Sequence, residues 1–313
     1  SKAEQPGVYT SFKQLVTAIQ SNLAGVYKLA ADMTADEVGL PENQTSYIKG
    51  EFTGTLVGTE GSKAYAIYDL KKPLFDILKN ATVKDLDLKN TQVDSIENAA
   101  AVAKTADNAT ISNVAVEGKV SGRKSVAGLV VDATNTRIEN SSFSGKLIAN
   151  HADNNANYAG GIVGKLTGGN AKVDKSKVDV VISTAARNNN QTAGGIVGKL
   201  ENSALVTRSV TTGKILNGQG YPRVGGIVGS TYPRGRVDNV VSNMNVGDGY
   251  ATTGDQFGSA DVKNAITSVE NKKQDNFVRK VTKEEVDAKI TSYGITVTLD
   301  DTGQDLKANS KEV

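Results

Sequence analysis

YAGGIVGKL at Tyr158–Leu166 returns as TAGGIVGKL at Thr192–Leu200, as RVGGIVGS at Arg223–Ser230 and, degenerate, as VAGLVV at Val126–Val131. The corresponding glycines are Gly128, Gly161, Gly195 and Gly226, at steps of 33, 34 and 31 residues. A fixed period of this size is the signature of a stacked-repeat architecture. A second landmark accompanies each copy, an Asn- or Ser-started turn leading into a β-branched residue. It reads NATVKDLDL from Asn80, NATISNVAV from Asn108, NTRIENSSF from Asn135 and NAKVDKSKV from Asn170, with weaker copies at Ser203, Arg234 and Ser259. Its apolar positions are Val83, Ile111, Ile138, Val173, Val206, Val237 and Val262, and nine residues beyond five of them stand Val120, Leu147, Ile182, Ile215 and Val246.

Each unit offers about three short strands with period-2 alternation, separated by Gly and Asn corners, and none holds an amphipathic helix. The units are too short for propeller blades of roughly 40–45 residues. The sequence therefore predicts an all-β solenoid, a right-handed parallel β-helix of about seven coils. At about 4.8 Å per coil the rod is roughly 30–35 Å long, and its hand follows the usual crossover rule. The paired glycines Gly160-Gly161, Gly194-Gly195 and Gly225-Gly226 are expected at one corner, where positive φ or close coil contact excludes a Cβ. Asn113, Asn140, Asn239 and Asn264 are expected at another, in the left-handed region.

The ends break the pattern. From Thr10 or Ser11 a helix is predicted with Phe12, Leu15, Val16, Ile19 and Leu23 on one face and Gly25 as its stop. Residues 282–292, TKEEVDAKITS, read as a second helix with Thr282 as N-cap, followed by the strand GITVTL from Gly294. Both helices are assigned as caps, since solenoids must close their exposed edges. This divides the chain into an N-terminal capping segment (1–26), the β-helix (27–281) and a C-terminal helix, strand and polar tail (282–313).

Of 313 residues, 38% are hydrophobic but only 5% aromatic, which suits thin layers of β-branched side chains better than one large core. A formal charge of +2 gives no field directed at nucleic acid or an anionic membrane, and no apolar run approaches the roughly 20 residues of a membrane helix. The start, Ser1-Lys2-Ala3-Glu4, reads as an excised segment without a signal peptide. No cysteine means no disulfide framework or thiolate chemistry.

Catalytic constellations are missing. The one histidine, His151, lies in the loop ANHADNNANY with no second imidazole to share a metal. There is no HExxH. GGIVGKL fails as a phosphate loop, because three residues separate Gly160 from Gly164 and leucine follows the lysine. Asp85 and Asp87 alternate on one strand and read as solvated outer positions, and DDTGQD from Asp300 is too irregular for a calcium loop. No catalytic residue, cofactor or metal site is assigned, and a polysaccharide lyase with stacked carboxylates is kept only as a third reading, since no such cluster is clearly reproduced.

Insertions accumulate just before the double glycine in successive coils: ANHADNNANY, STAARNNNQT and LNGQGYPR. In-register coils stack such loops into a ridge, the place where solenoids bind. Tyr158, Arg187, Tyr221 and Arg223 on the ridge, with Tyr232, Arg234 and Arg236 on an adjacent turn, are the residue types that anchor interfaces. They form a candidate protein-binding ridge.

FKQLVTAIQSNLAGVYKLAADM, YIKGEFTGTLVG and KKPLFDILKNATVKDLDL together resemble the N-terminal region of the streptococcal immunoglobulin A1 protease family of zinc metalloproteases, and the AGGIVGKL copies are similar to GLUG-type repeats. The resemblance covers roughly residues 9–300. It implies a parent protein, secreted and anchored to the bacterial cell wall, with its zinc and HExxH in a separate C-terminal portion. That parent would cleave the hinge of human immunoglobulin A1 or a related host glycoprotein. This segment would then be a non-catalytic middle domain that recognises the host substrate or positions its own protease domain. An independent surface adhesin binding host protein or glycan is the alternative.

Overall fold

A computed structural model describes residues 7–150, 156–184, 191–216 and 223–296. Strand pairing within them is parallel in every named pair except the small hairpin of Thr59–Glu60 with Lys63–Ala64. The strands form three parallel sheets: a long one of fifteen strands, a second of seven and a small glycine-bearing one of four. This is a parallel β-solenoid.

One inward column fixes its register. Tyr27, Leu56, Val83, Ile111, Ile138, Val173, Val206, Val237 and Val262 pair rung to rung, and all are buried. The seven landmarks of the repeat all stand in it. Tyr27 and Leu56 extend it toward the N-terminus, so the solenoid makes about eight turns where the sequence predicted about seven. Coils run from 25 residues, Val237 to Val262, to 35, Ile138 to Val173. The core is thus a stack of like side chains between paired backbones, which is why β-branched residues recur at fixed offsets while loops change length.

The column nine residues on is equally regular: Val120, Leu147, Ile182 and Ile215 lie in register, and Val246 directly follows Asn245, the partner of Lys214. Val93 joins it at an offset of ten, because the strand Thr82–Ser95 is bulged between Leu88 and Thr91.

The corners follow the residues that tolerate left-handed backbone. Asp85, Asn113, Asn140, Lys175, Arg208, Asn239 and Asn264 occupy one corner column, each with φ between 45° and 66°. The amide of Asn113 donates to Asp85 (3.0 Å) and that of Asn264 to Asp238 (2.9 Å). Arg208, an unfavourable residue for this backbone, is held by a two-pronged pair with Asp174 of the preceding coil. Asp85 is therefore a corner residue and not a solvated strand position, and Asp87 is buried. Behind the corner, the hydroxyls of Ser141, Ser176 and Ser209 each accept a backbone N–H from the preceding coil and donate to the carbonyl two residues back. They close the donors and acceptors that the bend frees.

At the double glycines the cause is close contact, with no positive φ. A Cβ on Gly161 would stand 2.1 Å from the carbonyl of Gly195, and one on Gly160 1.9 Å from that of Val163.

Helix α1 (Phe12–Ser21) starts at Ser11, whose hydroxyl accepts from Gln14 N–H, and is further capped by the carboxylate of Glu37 on Phe12 N–H (2.7 Å). It buries Phe12, Leu15 and Ile19, and the Phe12 ring meets Tyr47 edge-on. The helix ends at Asn22, before Gly25, which lies in the following turn where its carbonyl accepts from Thr55. Val8–Tyr9, ahead of the helix, already pairs with Lys28 and Leu29. Helix α2 (Lys283–Tyr293) has Thr282 as N-cap and Gly294, φ 66°, as its left-handed stop. It buries Val286 and Tyr293 against the outward-facing Val210, Val241 and Ile266 of the long sheet. Gly294–Thr296, the first half of the GITVTL strand expected after it, form no strand, and the second half lies outside the described residues, as do His151 and the Asp300 segment.

Candidate protein-interaction face

Most of the three insertions expected to stack into a ridge lies outside the described residues, and the strands that follow them form the small sheet. Tyr158, Thr192 and Arg223 are register partners on three successive coils. Each lies over a glycine one coil further on: Tyr158 against Gly198 and Thr192 against Gly229, both in the second sheet, and Arg223 against Gly254, just beyond it. Glycine is required beneath them, since a Cβ on Gly229 would stand 2.5 Å from the Thr192 methyl. Arg187 and Tyr221 lie outside the described residues.

Beside the ridge runs the outward face of the second sheet, with Asp132, Lys165, Lys199 and Ser230 in one column. The Lys199 ammonium sits 5.7 Å from the Tyr158 ring centroid, a cation–π contact. Burial raises the Asp132 carboxyl above its ordinary range, an effect that Lys165 partly offsets.

Ser230 joins the ridge to the adjacent turn. Its hydroxyl accepts from Arg223 Nη1 (3.4 Å) and from Tyr232 N–H (3.2 Å) and donates to Asp255 Oδ2 (2.7 Å). Arg223 Nη1 also lies 3.3 Å from Asp255 Oδ1. The turn then projects Tyr232, 64% exposed, ahead of a cis Tyr232–Pro233 bond. Arg234 is exposed in left-handed backbone, and the Arg236 guanidinium donates to the carbonyl of Ser203 (2.9 and 2.7 Å). Arg236 thus spends two of its five donors on the fold. Tyr158 and Arg223 share the small-sheet column, and Ser230 links Arg223 to the Tyr232 turn.

Sequence reading missed Lys199, Ser230, Asp255 and Phe257. The last is 55% exposed, three residues beyond Gly254 as Tyr232 is three beyond Gly229. A signal existed: YATTGD at Tyr250–Asp255 is a further, eroded copy of GGIVGS, pairing Gly225 with Tyr250 and Val228 with Thr253.

Elsewhere, a cavity of about 320 Å³ near the N-terminal end is lined by Thr10, Asp32, Met33, Thr34, Glu37, Tyr68 and Asp69. Its carboxylates hold the fold: Asp32 accepts from Ala66 N–H, Glu37 caps α1, and Asp69 bonds Thr34 and Asn90. Among the described residues no three His, Asp or Glu side chains are grouped to hold a metal, and no helix is long and apolar enough to cross a membrane.

The chain is 70% identical along its full length to the zinc metalloprotease ZmpC of Streptococcus pneumoniae serotype 4, of which it spans 17%. This chain belongs with the N-terminal regions of the immunoglobulin A1 protease family. Residues 1–118 match the family model described as the M26 IgA1-specific metallo-endopeptidase N-terminal region. An immunoglobulin A1 protease of Streptococcus sanguinis is 44% identical over 88% of the chain, which covers 15% of that relative. A solved IgA1 protease structure superposes on 94% of the chain, and on 24% of its own, with a TM-score of 0.85 and 35% identity. A putative immunoglobulin A1 protease from Bacteroides ovatus shares the fold, with a TM-score of 0.61 over 91% of the chain at 16% identity.

Proposed function

We propose that this region is a non-catalytic recognition segment of a secreted, wall-anchored zinc metalloprotease, and that it engages the protein substrate through the ridge. The observation that carries the reading is the register of Tyr158, Thr192 and Arg223 with the Ser230–Tyr232 turn beside them. Rigid stacked strands present aromatic and guanidinium groups on one side, the arrangement that supplies anchors at low entropic cost. The zinc chemistry belongs to another part of the parent chain, and the segment holds the substrate while that part cuts. Immunoglobulin A1 is the first substrate to test, since several relatives are named for it.

Titrating the 313-residue chain with intact human immunoglobulin A1 in biolayer interferometry tests this. Saturable binding, weakened at least tenfold when Tyr158, Arg223, Tyr232 and Arg234 are all alanine, supports the recognition role. Absence of binding, or binding indifferent to those four changes, leaves a spacer and removes the reading.

A further inference from the structure

The outward column of the long sheet changes character along the rod. Ala115, Ser142 and Lys177 occupy it in three successive coils, and Val210, Val241 and Ile266 occupy it in the next three. An alternating strand whose outer face turns apolar needs a cover, and the cover is α2. Val286 and Tyr293 are buried on that stripe, with Val281, Ile290 and Ile295 packed around them. After the Gly294 stop the chain does not continue past the last coil. Thr296 donates from both its N–H and its hydroxyl to Asn140 Oδ1, each at 3.2 Å. Asn140 stands four coils before Asn264 in the left-handed corner column, about 19 Å back along the axis at coil spacing.

We propose that residues 283–296 are a clasp: α2 docks on the flank in cis, and the chain beyond Thr296 departs from the middle of the rod instead of its last rung. The stripe is a helix-receiving site written into only those coils that α2 covers. The curated relatives are several times longer than the matched region, and where chain follows this region the point of departure sets which flank of the solenoid it adjoins. Release of the helix returns that point to the Val278–Lys280 rung, a shift of about five coil spacings. The inference is independent of the ridge and of what the ridge binds.

The chain has no cysteine, so introduced pairs report cleanly. Two full-chain variants are compared, Glu139→Cys/Thr296→Cys and Lys263→Cys/Thr296→Cys, both on outward strand positions flanking the corner column. Intramolecular linkage by a short bis-maleimide is followed by mass. The first pair is expected to link at least tenfold faster than the second, and adding Ile290→Lys, which places a charge at the helix interface, is expected to erase the preference. Equal rates, faster linkage at Lys263→Cys, or linkage at neither overturns the clasp.

Discussion

Arg223 and Asp255 face each other across one coil step, with Nη1 3.3 Å from a carboxylate only 1% exposed. The carboxylate also accepts from the Ser230 hydroxyl and from Thr231 N–H at 2.7 and 2.8 Å. The Arg223 side chain is 43% exposed, and its guanidinium carries more donors than these contacts use. One ion pair thereby locks the ridge to the last coils and leaves its arginine available to a partner.

Asp255→Ala strands the Thr231 N–H and the Ser230 hydroxyl, and is expected to lower unfolding free energy by about 2–3 kcal/mol. Arg223→Ala is expected to cost about 1 kcal/mol, because solvent screens the exposed end of the pair. Urea denaturation of the two variants checks the order.

Gly161→Ala drives a methyl to 2.1 Å from the Gly195 carbonyl and 2.6 Å from Val178. Overpacking of this kind is expected to destabilise by about 1–3 kcal/mol. Gly169, with nothing within 4 Å and no positive φ, takes alanine without loss. Thermal unfolding of both variants distinguishes a packing requirement from a general intolerance of glycine replacement.

Burial raises the Asp132 carboxyl above its ordinary 3.8. A group whose pKa is raised on folding contributes stability at low pH that is lost as pH rises through the folded value. Asp132→Asn removes this dependence, so its melting temperature relative to the parent is expected to be higher at pH 7 than at pH 3.

Tyr293 provides the alkaline counterpart. Burial, with the nearby charge of Asp238, pushes its phenol well above the ordinary 10.0, and its hydroxyl has no partner. The contribution of the docked helix is present below pH 10 and is lost as pH rises above it. In absorbance titration of the tyrosines, Tyr293→Phe is expected to remove a late step, and Ile290→Lys to bring that step down toward the ordinary value.

The repeat was legible because inward residues obey a ladder. Val83, Ile111, Ile138, Val173, Val206, Val237 and Val262 share a column, and so do Gly128, Gly161, Gly195 and Gly226. What stayed hidden lies where the ladder admits substitutes. AAAVAKT at Ala99–Thr105 and YATTGD at Tyr250–Asp255 are copies of the glycine motif in other residues, joined to it by pairing that spacing alone does not reveal. Lys175 and Arg208 stand in left-handed corners that the asparagines alone had marked. The seat of α2 was signalled by consecutive apolar pairs, Val240-Val241 and Ala265-Ile266, in which one residue must face out. At the ridge, spacing put Tyr158 and Arg223 together, but the buried partner of Arg223 came from a copy too eroded to recognise.

The most direct test of the recognition account is hydrogen exchange of the 313-residue chain with and without saturating intact immunoglobulin A1. Protection is predicted at residues 156–160 and 223–236, with the α1 end and the α2 flank unchanged. Protection confined to α1 or to the α2 flank, or none anywhere, would contradict it.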